Sequence, residues 1–218
     1  MNERLIIEGR AAALPHANLD TDQIMPKQFL RGIDKSGLDK GLFYDMRFDA
    51  DGAVRGEFVL NRPGYEDTGI LIAGSNFGCG SSREHAVWGL QQYGIQAIIA
   101  SSFGEIFYSN AMNNQLLLIM LSEADVQTLM ADAASPESSH ITIDIQALTL
   151  RSRSLDTTFK LAERYHQMFV EDLDFIGASL TFQEEINRYT KDHWARQPWL
   201  KDVASLTRDR LSSQESKG

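Results

Sequence analysis

Ile70-Leu71-Ile72-Ala73-Gly74-Ser75-Asn76-Phe77-Gly78-Cys79-Gly80-Ser81-Ser82-Arg83-Glu84-His85-Ala86 is the stretch that decides the fold. Its first four residues are a short, wholly apolar run, the pattern of a buried strand. A glycine-rich loop follows, and then a helix predicted over about Ser82 to Tyr93. Ala86, Leu90 and Tyr93 recur at helical spacing in that segment, and Gly94 supplies a stop. The alternation continues downstream: Ala97 to Ala100 reads as a second buried strand, Phe103 to Asn113 as a helix, and Leu116 to Leu121 as a third strand. Ser122 is placed to N-cap a further helix. Strands and helices alternating at this spacing predict βαβ units and a largely parallel sheet.

Outward from this centre the pattern is mixed. Leu5 to Gly9 reads as a first strand, and His16 to Asp22 is dense in turn formers. Pro26 allows a short helix through Gln28 to Leu30, Leu38 to Phe48 is predicted helical, and Asp51-Gly52 is a turn. Ile141 to Asp144 alternates like a half-exposed strand, and Phe182 to Trp194 has amphipathic helical character. The polar stretch from Ser205 to Gly218 is expected to fray. The economical reading is one compact α/β domain with a trailing C-terminal helix.

The 218 residues, 43% hydrophobic and 23% charged, suffice for a core without disulfides or metals. With 21 basic and 30 acidic residues the net charge is -9, which lacks the basic footprint of a nucleic-acid binder. A small anionic substrate would therefore need individually placed cations. No run approaches the ~20 apolar residues of a membrane span, and the N-terminus lacks a charged-then-apolar signal pattern. The expectation is a soluble, cytoplasmic protein. The sequence has one cysteine, Cys79, so no internal disulfide framework exists and a cluster held by several thiolates cannot be built by one copy of this chain.

The loop from Gly74 to His85 carries the chemistry. Its glycines let the backbone approach a ligand, and the start of the following helix offers free N–H groups to an anion. Arg83 adds a cation suited to a carboxylate or phosphate. Ser81 and Ser82 stand where that anion would sit. In such surroundings a serine alkoxide becomes accessible as a base. From these residues alone, an anion site and a plain serine-capped packing loop both remain open. The Walker pattern fails for want of a Gly-Lys-Ser or Gly-Lys-Thr, and Arg83 stands where the Rossmann fingerprint needs its third glycine. Glu84 and His85 read as helix-face residues, since no second histidine or cysteine lies at ligand spacing. Cys79 reads as a small loop residue, and Asp20 and Asp22 read as turn caps.

Three segments together resemble a known family. The Gly74–Ala86 loop is similar to the signature loop of the aconitase superfamily swivel domain. Asn18-Leu19-Asp20-Thr21-Asp22-Gln23-Ile24-Met25-Pro26 is similar to that family's N-terminal signature. Asp174-Phe175-Ile176-Gly177 matches a late motif of the 3-isopropylmalate dehydratase (isopropylmalate isomerase) small subunits. The resemblance implies a single swivelling β/β/α domain over residues 1–200, with a mostly parallel central sheet flanked by helices as in aconitase domain 4, and a polar tail over 201–218. It implies a hydro-lyase subunit that interconverts 2-isopropylmalate and 3-isopropylmalate through 2-isopropylmaleate in leucine biosynthesis. That subunit would act only in a heterodimer or higher heteromer with a large subunit. The [4Fe-4S] cluster is expected on that partner, and no metal or cofactor on this chain. By the resemblance Ser81 is the base that deprotonates the substrate carbon. Ser82 and Arg83 stabilise its alkoxide and bind a substrate carboxylate. Asp22 supports a histidine of the large subunit, and Arg31 lies in a substrate-recognition loop. Related hydratases of homoaconitase, citraconate or dimethylmalate type, and a non-catalytic carboxylate-binding module, are the alternative readings.

Overall fold

The computed structural model describes residues 5–30, 36–80 and 83–215. They divide into two compact units, one ending at Asp174 and one beginning at Phe175. In the first unit the chain runs β1 (Ile6–Leu14), α1 (Thr21–Ile24), α2 (Tyr44–Arg47), β2 (Thr68–Ala73), α3 (Glu84–Tyr93), β3 (Ala97–Ala100), α4 (Glu105–Asn113), β4 (Leu117–Met120), α5 (Glu123–Asp132), β5 (His140–Asp144), β6 (Thr149–Arg151), β7 (Asp156–Thr158) and α6 (Glu163–Glu171). The second unit is helical: α7 (Phe175–Leu180), α8 (Gln183–Arg196) and α9 (Val203–Glu215).

The strands form one seven-stranded sheet in the order β4-β3-β2-β1-β5-β6-β7. β1 to β4 pair in parallel, while β5, β6 and β7 extend the sheet from β1 in antiparallel fashion. The mostly parallel centre flanked by helices is the expected fold class. Alternate residues of each strand face opposite sides. Leu71, Ala73, Ile98, Ala100 and Leu118 pack with Ala86 and Leu90 of α3 and Phe107 of α4. Ile70, Ile72, Ile99, Leu117 and Ile119 pack with Val126 and Leu129 of α5 on the other face. Both faces are thus covered, which is why these strands read as continuous apolar runs rather than as alternating ones. The crossovers β2-α3-β3 and β3-α4-β4 step the same way along the sheet. α5 then carries the chain across the opposite face to β5, beside β1.

Several predicted bounds shift for identifiable reasons. The first strand was expected to end at Gly9 and runs to Leu14. Pairing supplies what its alanine-rich second half lacks in strand propensity, since Ala11 and Ala12 are wholly buried and β1 lies between β2 and β5. The helix expected over Leu38 to Phe48 breaks into a 3-10 turn, Leu38–Gly41, and α2. Phe43, at φ 50°, turns left-handed between them, and its backbone N–H donates to Ile24 O instead of to a helical carbonyl. α3 begins at Glu84 rather than near Ser82, with Arg83 as its extended N-cap, and it ends at Tyr93 with Gly94 as its stop, as predicted. Ser122 caps α5 by accepting from Asp125 N at 3.2 Å. The stretch expected to fray is helical as far as Glu215. No Gly or Pro interrupts it, and the helix formers Leu206, Arg208, Arg210 and Leu211 populate it.

Candidate active site

The two signature segments meet at the carboxyl ends of β1 and β2, where open α/β sheets place ligands. Backbone bonds zip them together. Asn18 N donates to Ser75 O at 2.8 Å, Gly78 N to Leu19 O at 2.8 Å, and Thr21 N to Cys79 O at 3.0 Å. Asn76 Nδ2 donates to Asn18 Oδ1 at 2.9 Å, and the Cys79 thiol donates to Asn18 O at 3.4 Å. A third loop, after β3, closes the group: Asn76 N donates to Ser102 Oγ at 2.8 Å and Gly104 N to Phe77 O at 2.9 Å. Two glycines make this packing possible. Gly78 has φ 73° and lies so close to Phe107 that a Cβ would meet its ring at 2.3 Å. A Cβ on Gly104 would meet Gly78 O at 2.6 Å.

Asp20 caps α1 reciprocally. Its carboxylate accepts from Gln23 N at 2.8 Å, and its own N–H donates to Gln23 Oε1 at 2.9 Å. This capping box leaves Asp20 in a structural role and points the next acidic residue, Asp22, outward from the first turn of α1. Asp22 Oδ1 takes the Arg83 guanidinium through Nη1, while Lys27 Nζ stands 3.6 Å from Asp22 Oδ2. The Arg83 side chain is only 18% exposed and that of Asp22 44%; the pairing atoms, Asp22 Oδ1 and Arg83 Nη1, are buried, so the arginine is the held partner. The structure thus brings Asp22 and Arg83 into direct contact. Ser81, Ser82 and Arg31, the other expected site residues, lie outside the described residues.

Glu84 and His85 are engaged elsewhere. Glu84 Oε1 accepts from Asn114 Nδ2 at 2.6 Å, Trp88 Nε1 donates to Asn114 Oδ1 at 3.1 Å, and the His85 ring packs on Trp88 at 4.9 Å. These contacts tie α3 to the end of α4. Lys27 was not singled out from the sequence. The signal available was a lone cation directly after the N-terminal signature, five positions from Asp22. Among the described residues no group of three or more His, Cys, Asp or Glu stands together as a metal site, and no helix is long and apolar enough to cross a membrane.

The family described as the aconitase C-terminal domain matches residues 1–124, more than half of the chain. The chain belongs to this family. Among curated members it is 65% identical over 206 residues to the 3-isopropylmalate dehydratase small subunit 1 of Chromobacterium violaceum, covering 94% of this chain and 97% of that protein. It is 43% identical over 199 residues to the 3-isopropylmalate dehydratase small subunit 2 of Salmonella typhimurium, covering 91% and 96%. The crystal structure of a 3-isopropylmalate dehydratase from Methanocaldococcus jannaschii matches with a TM-score of 0.60 at 26% identity, over 85% of this chain and 99% of that one. The family expected from the three motifs is therefore the family found, and the small-subunit type expected within it is the type the curated members carry in their names.

Proposed function

We propose that this chain is the small subunit of a 3-isopropylmalate dehydratase, the hydro-lyase that interconverts 2-isopropylmalate and 3-isopropylmalate in leucine biosynthesis. The observation that carries the reading is the Asp22–Arg83 pair, assembled from two distant signature segments at the carboxyl edge of the parallel strands. The names of the relatives, which span nearly the whole chain, support it.

In this reading Ser81 takes the proton from the substrate carbon next to a carboxylate, a step that needs a base held in positive potential. Ser82 and the Arg83 guanidinium favour the alkoxide form of Ser81, and Arg83 also receives a substrate carboxylate. Arg31 contributes to substrate recognition. Asp22 fixes Arg83 from within this chain and supports a histidine of the large subunit. The cysteine among the described residues, Cys79, spends its thiol on Asn18 O and has no cluster of ligands around it. This chain does not fit a [4Fe-4S] cluster, which the proposal assigns to the large subunit together with the Lewis-acid chemistry such a cluster supplies. The reading places the swivel-type domain over residues 1–200 with a tail at 201–218, and the complex in the cytoplasm.

Reconstitution tests this. The purified chain alone is expected to isomerise nothing. Mixed with an iron–sulfur large subunit under anaerobic conditions, it is expected to convert 2-isopropylmalate to 3-isopropylmalate. Preference of the mixture for homoaconitate, citraconate or dimethylmalate in a substrate panel would reassign the substrate. Failure to assemble with any large subunit would favour a carboxylate-binding module.

A further inference from the structure

Asp22 faces two cations of different character. Arg83 is largely buried and fixed at the N-cap of α3. Lys27 sits in a 3-10 turn whose backbone is pinned: Phe29 N donates to Pro26 O at 3.0 Å, Leu30 N donates to Lys27 O at 3.1 Å, and the Phe29 ring packs on Tyr44 at 5.0 Å. Its side chain is 74% exposed, and its ammonium reaches only the outer oxygen of Asp22. With Asp20 spent on its capping box and Glu84 on Asn114, Asp22 is a single carboxylate shared by two cations. The carboxylate cannot neutralise both cations, in a chain whose net charge is -9.

A dicarboxylate has two anionic ends, and one guanidinium cannot neutralise both. An exposed lysine–carboxylate pair is weakly held, so an incoming carboxylate can compete for the ammonium, whereas the more buried Arg83 stays with Asp22. We propose that Lys27, poised on the outer oxygen of Asp22, is a substrate-binding residue whose ammonium transfers from Asp22 to a carboxylate of the incoming dicarboxylate. The inference rests on the proposed dehydratase function. It adds to that reading a residue that binds substrate without touching the reacting carbon. Loss of Lys27 therefore acts on KM rather than on kcat.

The test is steady-state kinetics of the reconstituted complex with 3-isopropylmalate, for wild type, Lys27→Met and Lys27→Arg. Assembly is checked by gel filtration and folding by thermal melting. Loss of a charge-assisted hydrogen bond predicts KM raised about tenfold in Lys27→Met, with kcat within about threefold. Lys27→Arg, which keeps the charge, should recover most of the KM. The steepness with which salt lowers kcat/KM should be reduced in Lys27→Met and retained in Lys27→Arg. An active wild-type complex whose Lys27→Met variant assembles and keeps the wild-type KM overturns this inference alone. A Lys27→Arg variant as impaired as Lys27→Met does the same. A wild-type complex that assembles and isomerises nothing overturns the functional reading and this inference with it.

Discussion

Asp22 gains its importance from what it holds. Its exposed pair with Lys27 contributes about 0–1 kcal/mol to folding, and its pair with the largely buried Arg83 contributes more. Asp22→Asn, which keeps the shape of the side chain, is expected to lower the stability of the chain by about 1–2 kcal/mol. In the reconstituted complex the same change releases the Arg83 guanidinium from its fixed geometry, and kcat/KM is expected to fall at least about tenfold. A thermal melt beside a kinetic assay checks both halves, and a large loss of stability with intact kinetics would reverse the assignment. Asp20, two positions earlier, does not hold the guanidinium. Asp20→Ala removes a capping box and should cost about 1 kcal/mol of stability. The sequence places these two carboxylates side by side and does not distinguish them. The capping box does, by consuming Asp20 and leaving Asp22 to the distant arginine.

At the scale of elements, the site is a junction of three loops that follow β1, β2 and β3. Gly104→Ala is expected to push the Gly78 carbonyl out of place, because its Cβ would meet that oxygen at 2.6 Å. Activity of the complex should fall while the sheet, formed from other residues, persists, as circular dichroism would show. A second junction ties α5 to the antiparallel side of the sheet. The buried Asp132 carboxylate accepts from Ser152 Oγ at 2.6 Å, Ser154 Oγ at 2.6 Å and Ser154 N at 2.9 Å. Burial opposes its ionisation, but these hydrogen bonds outweigh burial and hold its pKa below the ordinary 3.8. A depressed carboxylate stabilises the fold above its unfolded pKa and loses that contribution as pH falls through the folded one. The melting-temperature gap between wild type and Asp132→Asn is therefore expected to be full at neutral pH and to close as pH drops below 3.8. A gap independent of pH would contradict the assignment. The elements most legible in the sequence were those whose burial is complete on both faces. β3 was read at its observed bounds, Ala97–Ala100, because four consecutive apolar residues between polar segments fit a strand buried on both faces. The second half of β1 was not legible, because Arg10 interrupts it and its alanines owe their strand state to neighbouring strands. β6, β7 and α6 were likewise not read, since their short, polar or half-exposed segments owe their structure to strand pairing and packing rather than to pattern.

For the molecule as a whole, the parallel half of the sheet carries the signature loops at its carboxyl edge, and the antiparallel half extends the same sheet away from them. The family was legible from three short motifs. The way its residues meet was not, because the Asp22–Arg83 contact depends on the chain folding β1 beside β2. In the proposed function this chain supplies a base and its cations, and a partner supplies the rest. Ser81 is that base in the proposed function. The most direct measurement is the turnover of 2-isopropylmalate by the complex reconstituted with Ser81→Ala. The expected kcat is lower by at least about a thousandfold with assembly unchanged. A variant complex that assembles and turns over near the wild-type rate would contradict it.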